Sequence, residues 1–496
     1  MAFLFIFFNL VLAAWSVLHK DIYYYTDIGR DFLIFDEIAT KKLVLIGPRA
    51  DAQGLFHGVL WHYLNMPAYL IGNGNPIIVG WFWILLTVGF LASVYFIMKR
   101  LFDSQSALIA TLLLSFTMVP IAQGFFHGNG AMLLLPLFLY FFIRYEQTAK
   151  LIYLIGHFFI GGMLLQFEIA LGLPLLLLST LAAAILVIRK KKYIHFVGFA
   201  VLLLFFLTFL VSDLRHNFLQ FRSLIAYAKG ARDGKPIPLI LSLKDRLEGL
   251  STVGLNFVRS PLHKFNLVVF IFMTYCFYGI FKKKDRKRSS YLIFLYFYIG
   301  YYALTLLHGG FLIMFWWLPM SVLPILIFST LHRYSLKWLY YGLLFTIIVI
   351  SGIQNTLYIS KITIGFGTAN GSWRFHLTNA NKIFADAPGE FGYFIYAPDI
   401  FGYQDKYAMS YAEKLSSKKA SRFIKKQTTY VLIEPPPSFR PDLMAEPWIK
   451  RELGINSSPV KIIPLSNGYQ INKYNLSKSD REPPAKITPN DWLFFR

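Results

Sequence analysis

The stretch YYYTDIGRDF, residues 23–32, holds two carboxylates, Asp27 and Asp31, with Arg30 between them. On a helix, residues four apart share a face and a residue three along lies beside it. Carboxylates so placed can take protons or bind hydroxyls. The guanidinium fork matches carboxylate or phosphate oxygens two at a time. Downstream come Arg49, Asp51, His57, His62 and Tyr63, with Gly47-Pro48 and Gly54 as turn formers. Glu168, Arg215 and His216 follow later, each close to the end of an apolar run. The two histidines at 57 and 62 are five apart and do not share a helix face, and the chain has no HExxH pattern, so no metal ligand set is expected. It also has no Walker loop, no GxSxG elbow and no GxGxxG.

The elements that must carry these residues are apolar. Of 496 residues, 56% are hydrophobic and 15% are charged. An ordinary soluble domain is about 45–50% apolar and about 25% charged. The chain therefore reads as a polytopic membrane protein. A span needs roughly 20 mostly apolar residues. Spans are expected near 2–19, 76–98, 105–122, 129–143, 151–167, 169–188, 194–212, 265–281, 290–307, 311–330 and 337–353, about eleven in all. The first run has no basic segment before it and no small-residue cleavage site, so it is read as a retained span rather than a signal peptide. The single cysteine, Cys276, rules out internal disulfides and cysteine metal clusters.

The net charge of +23 is placed asymmetrically. The links KRLFD (99–103), RYEQTAK (144–150), RKKKY (189–193), KKKDRKR (282–288) and HRYSLK (332–337) are basic. The alternate links AQGFFHGN (122–129), QFE (166–168) and HGG (308–310) carry no Lys or Arg. Basic loops stay in the cytoplasm. Met1 is then cytoplasmic, and the loops 20–75 and 213–264 lie outside with everything after 353. The same pattern accounts for the charge without nucleic acid. Residues 1–353 thus form a membrane module and 354–496 a small extracytoplasmic α/β domain. In that domain GYFIYAP (392–398) and TYVLIEP (429–435) read as buried strands, with a helix over 410–424 between them. VKIIPLSNGYQINKY (460–474) reads as a hairpin turning at Asn467-Gly468. VLWHYLNMPAYLI (59–71) suits an amphipathic helix in the membrane interface.

The order of these features resembles the GT-C superfamily of membrane glycosyltransferases. It is most similar to the dolichyl-phosphate-mannose protein mannosyltransferase and aminoarabinose-transferase-like group. DIGRDFLIFDEIATKKLVLIGP (27–48) resembles a "DxGRD…LxGP" form. GGMLLQFEIALGLPLLLL (161–178) resembles a Gly-rich span ending in a Leu-Pro run. VSDLRHNF (211–218) and FWWLPMSVLPILI (315–327) resemble later loop and span segments. Gln166-Phe167-Glu168 stands where many aminoarabinose-transferase-like members carry a Lys.

The resemblance implies transfer of a sugar from a polyprenyl-phosphate donor to an acceptor hydroxyl at the outer face of the cell (inner) membrane. It needs a base, for which Asp27 is expected, with Asp31 orienting Arg30 or binding a sugar hydroxyl. It needs cations for the growing phosphate charge, for which Arg30, Arg49 and Arg215 are expected, and then His57 and His216. Glu168 is a further acid that could face the site. No cofactor is expected, and a divalent metal stays open. The alternatives are a transporter or lipid-carrier flippase, a GT-C-like partner subunit without activity, and an O-antigen polymerase or ligase. A transporter tends to show paired half-repeats and mid-membrane charges. Here the central spans are almost charge-free and the acids cluster at the outer surface.

Overall fold

The computed structural model describes residues 2–41, 43–50, 54–228, 237–282, 287–482 and 484–487. Asp51 and the middle of the basic stretch 282–288 lie outside the described residues. Among those described, nine helices are long and apolar enough to cross a membrane, and two shorter apolar helices, Ala2–Ala13 and Leu151–Phe167, accompany them. These eleven segments coincide with the expected spans. Two of them are broken. The span near 129 is the helix His127–Met132 followed by Leu135–Thr148, and that near 311 is built from Met314–Trp317, a 3-10 turn at Pro319–Ser321 and Val322–Phe328. Pro136 and Pro319 sit in the first turn of the piece that follows each break, where a missing N–H costs nothing.

The chain divides into two compact units. The first comprises Met1–Trp15, Leu43–Asn65 and Trp81–Ile359. It is a helical bundle held by small residues and a few buried polar bonds, as expected where lipid removes the hydrophobic driving force between helices. Asn9 Nδ2 donates to Ser115 Oγ at 2.8 Å, and Gln123 Nε2 donates to the carbonyls of Leu12 and Ala13, which ties the first helix to Ser104–Ile121. A Cβ on Gly162 would meet the Phe205 ring at 2.1 Å, and one on Gly172 would meet Leu165 Cα at 2.3 Å. Only glycine lets those neighbours close in.

The second unit comprises Ser16–Lys42, Met66–Gly80 and Ser360–Arg496. Part of the 20–75 segment therefore packs with the C-terminal stretch. The unit holds a five-stranded sheet in the order β2-β1-β3-β5-β4, with β1 Glu390–Tyr396, β2 Lys419–Arg422, β3 Thr428–Ile433, β4 Lys461–Pro464 and β5 Gln470–Asn475. The first three strands are parallel, and β3–β5 and β5–β4 are antiparallel. The β4–β5 hairpin turns at Ser466–Gly468, with Asn467 at φ 55° and Gly468 at φ 75°. The helix expected over 410–424 is corrected. It runs Tyr403–Leu415, and KASR at 419–422 is the edge strand β2. Pairing with β1 overrides the helix preference of those Lys and Ala residues. The link from β2 to β3 then crosses over β1 at Gly392, where a Cβ would lie 2.0 Å from the Ile424 carbonyl oxygen.

The helix Thr26–Lys41 is the element this unit positions. Ile28, Phe32 and Phe35 recur at helical spacing and are buried. Phe32 meets Tyr407 with ring centroids 5.0 Å apart, and Tyr24 meets Trp373 edge-on at 5.1 Å. On the polar side Asp36 accepts from Tyr69 and from Lys414, and from Ser410 Oγ at 2.8 Å. The helix backbone itself approaches its neighbour at Gly29, where a Cβ would stand 2.8 Å from the Gln404 backbone nitrogen and 2.9 Å from the Tyr403 carbonyl carbon. Gly29→Ala should therefore lower stability by about 1–3 kcal/mol, the range for forced overpacking. The check is the denaturation midpoint of purified protein, and an unshifted midpoint would contradict this close approach.

Glu434 follows β3, and its pKa is pushed up to about 7 by burial and then by Asp405, with Asp399 adding and the hydrogen bond to Tyr469 and His376 opposing. A carboxyl raised in the folded state binds its proton more tightly there than in the unfolded chain. Its contribution to stability is full below the ordinary value of 4.5 and falls as pH rises towards 7. Glu434→Gln should flatten that decline. The comparison is the melting temperature of both proteins at pH 5 and pH 8, and identical pH dependence would contradict the assignment.

Candidate active site

Asp27, Arg30 and Asp31 lie on the first two turns of the helix Thr26–Lys41. Arg30 Nη1 is 3.0 Å from Asp27 Oδ1, and Arg30 Nε is 3.9 Å from Asp31 Oδ1. The two acids differ in environment. The Asp31 side chain is 4% exposed and that of Asp27 is 28% exposed. Burial alone would push the Arg30 pKa down, but Asp27 and then Asp31 outweigh it and hold the guanidinium protonated. The helix thus presents a partly exposed carboxylate steadied by a cation, which is itself steadied by a buried carboxylate. Placing acids in the first turn also suits the partial positive charge at a helix N-terminus.

The helical unit gathers a second group. Residues 47–50 and 55–57 pair as a narrow ladder. Gly47 N–H donates to the His57 carbonyl at 2.8 Å, His57 N–H donates to the Pro48 carbonyl at 2.9 Å, and Arg49 and Phe56 face each other as an antiparallel bridge. Gly47 and Gly58 are required by the close approach, since a Cβ on Gly47 would be 2.4 Å from the Gly58 oxygen and one on Gly58 would be 2.1 Å from Gln166 Oε1. Gln166 is buried and donates to the Phe205 carbonyl at 2.6 Å and to Thr208 Oγ1 at 2.9 Å. The amide at this position is a packing bridge between helices.

Two residues on, Glu168 forms the corner between Leu151–Phe167 and Ile169–Arg189, with φ −146° and ψ 106°. Its carboxylate accepts from the Ala170 N–H at 3.2 Å and caps the second helix. Glu168 Oε1 lies 3.6 Å from His57 Nδ1, and Oε2 lies 3.8 Å from His127 Nε2. The rings of His57 and His127 are 4.6 Å apart, centroid to centroid. All three side chains are buried. A donor atom from each lies within 4.8 Å of the other two, and among the described residues this is the group that could hold a metal ion. His62 does not enter it. The expectation of no metal ligand set rested on short spacing along one helix, whereas these three come from a loop, a helix start and a helix corner far apart in sequence.

The remaining expected residues sit at exposed positions. Arg49 is exposed on the loop ladder. Arg215 ends the helix Val201–Arg215, and His216 follows it, with its Nδ1 2.8 Å from the Ser212 carbonyl oxygen. The buried charge in this stretch is Asp213, which accepts from the N–H groups of Gln220 at 2.8 Å and Phe221 at 3.0 Å. Gln220 Oε1 in turn accepts from Phe56 N–H at 3.3 Å, so the stretch after Arg215 braces the loop that carries His57. His127 and Asp213 went unmarked in the sequence. The signal for His127 was its place in AQGFFHGN, an apolar link with no other ionisable side chain.

The sequence matches no protein-family model and no curated protein sequence. Solved structures do match. The aminoarabinose transferase ArnT from Cupriavidus metallidurans bound to undecaprenyl phosphate aligns over 96% of this chain and 98% of its own, with a TM-score of 0.61 and 11% identity. Its apo state aligns over 97% and 98%, with a TM-score of 0.60 and 10% identity. The oligosaccharyltransferase AglB from Archaeoglobus fulgidus, in complex with an inhibitory peptide and a dolichol-phosphate, aligns over 84% of this chain and 64% of its own, with a TM-score of 0.44 and 12% identity. At these identities the likeness is one of fold. The chain has an ArnT-like, multi-pass fold with a small C-terminal sheet domain, the architecture that the sequence resemblance to GT-C glycosyltransferases implies.

Proposed function

We propose that the protein is a membrane glycosyltransferase that moves a sugar from a polyprenyl-phosphate donor to an acceptor hydroxyl. The observation that carries this reading is the fold: nearly the whole chain aligns with nearly the whole of an aminoarabinose transferase that binds undecaprenyl phosphate. The acceptor oxygen attacks the anomeric carbon as the bond from that carbon to the phosphate oxygen breaks. The polyprenyl phosphate departs with the bonding electrons, and the acceptor proton passes to a base.

Asp27 is the base in this reading. Its carboxylate is the more exposed of the pair, and Arg30 fixes its position at 3.0 Å. Arg30, engaged by both acids, positions Asp27 and is not expected to take the phosphate. Asp31, buried behind it, holds Arg30. The exposed Arg49 and Arg215 are the cations for the phosphate, with His216 beside Arg215. A polyprenyl tail lies in lipid and its phosphate at the headgroups. A base just after the first apolar helix would then meet the sugar at that height. This requires Met1 to be cytoplasmic and the C-terminal sheet domain to be outside, in the cell membrane.

Two tests follow. Cysteines introduced at Ser289 and Ser416 should label from opposite sides of the membrane; labelling from one side would overturn the orientation. Asp27→Asn should cut transfer from a labelled polyprenyl-phosphate sugar by about 10²–10⁴-fold, the usual effect of losing a positioned base. The melting temperature should barely move, since a partly exposed Asp→Asn change shifts stability by about 0.5 kcal/mol or less. Asp31→Asn should slow transfer less. Full activity in Asp27→Asn would exclude it as the base.

A further inference from the structure

We propose that His57, His127 and Glu168 bind one divalent transition-metal ion, with zinc the best match to the donors. Two imidazole nitrogens and one carboxylate oxygen are the donor types that zinc takes, at about 2.0–2.2 Å each. Two such donors on a tetrahedral ion stand ~3.4 Å apart by that geometry. The His57 Nδ1–Glu168 Oε1 and His127 Nε2–Glu168 Oε2 distances are 3.6 and 3.8 Å, so each pair needs to close by only a few tenths of an ångström, and at His57 the ion would take over the Nδ1 lone pair that otherwise accepts from the Ile169 N–H at 3.4 Å. The third separation is within 4.8 Å and would have to shorten on binding.

The surroundings favour an ion over an empty cluster. A carboxylate buried at 3% exposure is stabilised by a nearby positive charge, and a divalent ion held between the three side chains would supply one. Two of the three donor residues are also held from behind, as metal ligands are. Glu168 is oriented by the Ala170 N–H at 3.2 Å, and the backbone of His57 is fixed on both sides by the loop ladder. Gly128 leaves the room for this, since a Cβ there would sit 3.1 Å from Glu168 Oε2.

Three protein ligands on a tetrahedral ion leave a fourth position. A divalent ion with one carboxylate and two imidazoles carries a net charge of about +1. That is a fixed cation where Gln166 supplies none. The fourth ligand would be an anionic oxygen, and the donor phosphate is the one the proposed function provides. This last assignment rests on that reading, whereas the metal site does not.

The test uses full-length protein in detergent with a tag free of histidine, stripped by chelator and titrated with cobalt(II). Wild type should take up one equivalent and develop the visible absorption of a tetrahedral site. His127→Ala and the nearly isosteric Glu168→Gln should weaken uptake by more than the about 10–100-fold that loss of an outer partner costs. Size-exclusion elution and melting temperature report folding in each. Wild type with no tetrahedral band, or folded variants that bind as well as wild type, would overturn the site and leave the transfer assay untouched. Undecaprenyl phosphate, but not undecaprenol, should then alter the cobalt spectrum. An unaltered spectrum in protein that binds metal would overturn phosphate as the fourth ligand alone.

Discussion

The contact on which the rest of the proposed site depends is the salt bridge of Arg30 with its two carboxylates. A largely buried guanidinium is tolerated only if negative charge lies beside it, and a carboxylate as buried as Asp31 only if positive charge faces it. Each justifies the other, and Asp27 is the member left partly open. The helix that carries them is therefore not free to rotate. Gly29 presses it against the start of Tyr403–Leu415, and Asp36 ties its far turn to Tyr69, Ser410 and Lys414. Thus the segment after the first apolar helix is held by residues up to 378 positions further on.

The same rule, that buried charge must be matched, organises the helical unit. Glu168 sits at a helix corner with two histidines, and Asp213 takes two backbone N–H groups. Asp21 follows it in the second unit, where burial raises its pKa while Ser372 and the N–H groups of Arg374 and Ile22 meet its carboxylate. Each of these three buried carboxylates sits at or beside the end of a helix.

How much of this was legible depended on range. Apolar runs of membrane length are local, so the eleven helical segments were readable, as were the hairpin at Asn467-Gly468 and the Asp27–Arg30–Asp31 grouping on one helix. The breaks at residues 133–134 and near 318 were less so, because Leu133–Leu135 run across the first and a proline such as Pro319 can start or kink a helix without ending a span. KASR became a strand only because β1 lay open beside it. Glu168 could be marked as an acid near a span end, but its partners could not be named. His57, His127 and Glu168 meet through tertiary packing, and their spacing in sequence carries no period. Gln166 read as a missing cation, and the structure gives it a packing task.

The most direct measurement of the central claim is lipid binding by the purified protein, by native mass spectrometry, with undecaprenyl phosphate and undecaprenol offered together. A site built for a polyprenyl-phosphate donor predicts selective retention of the phosphate form, and loss of that selectivity when Arg49 and Arg215 are both replaced by Gln. Equal retention of the two lipids by the unaltered protein would contradict the account.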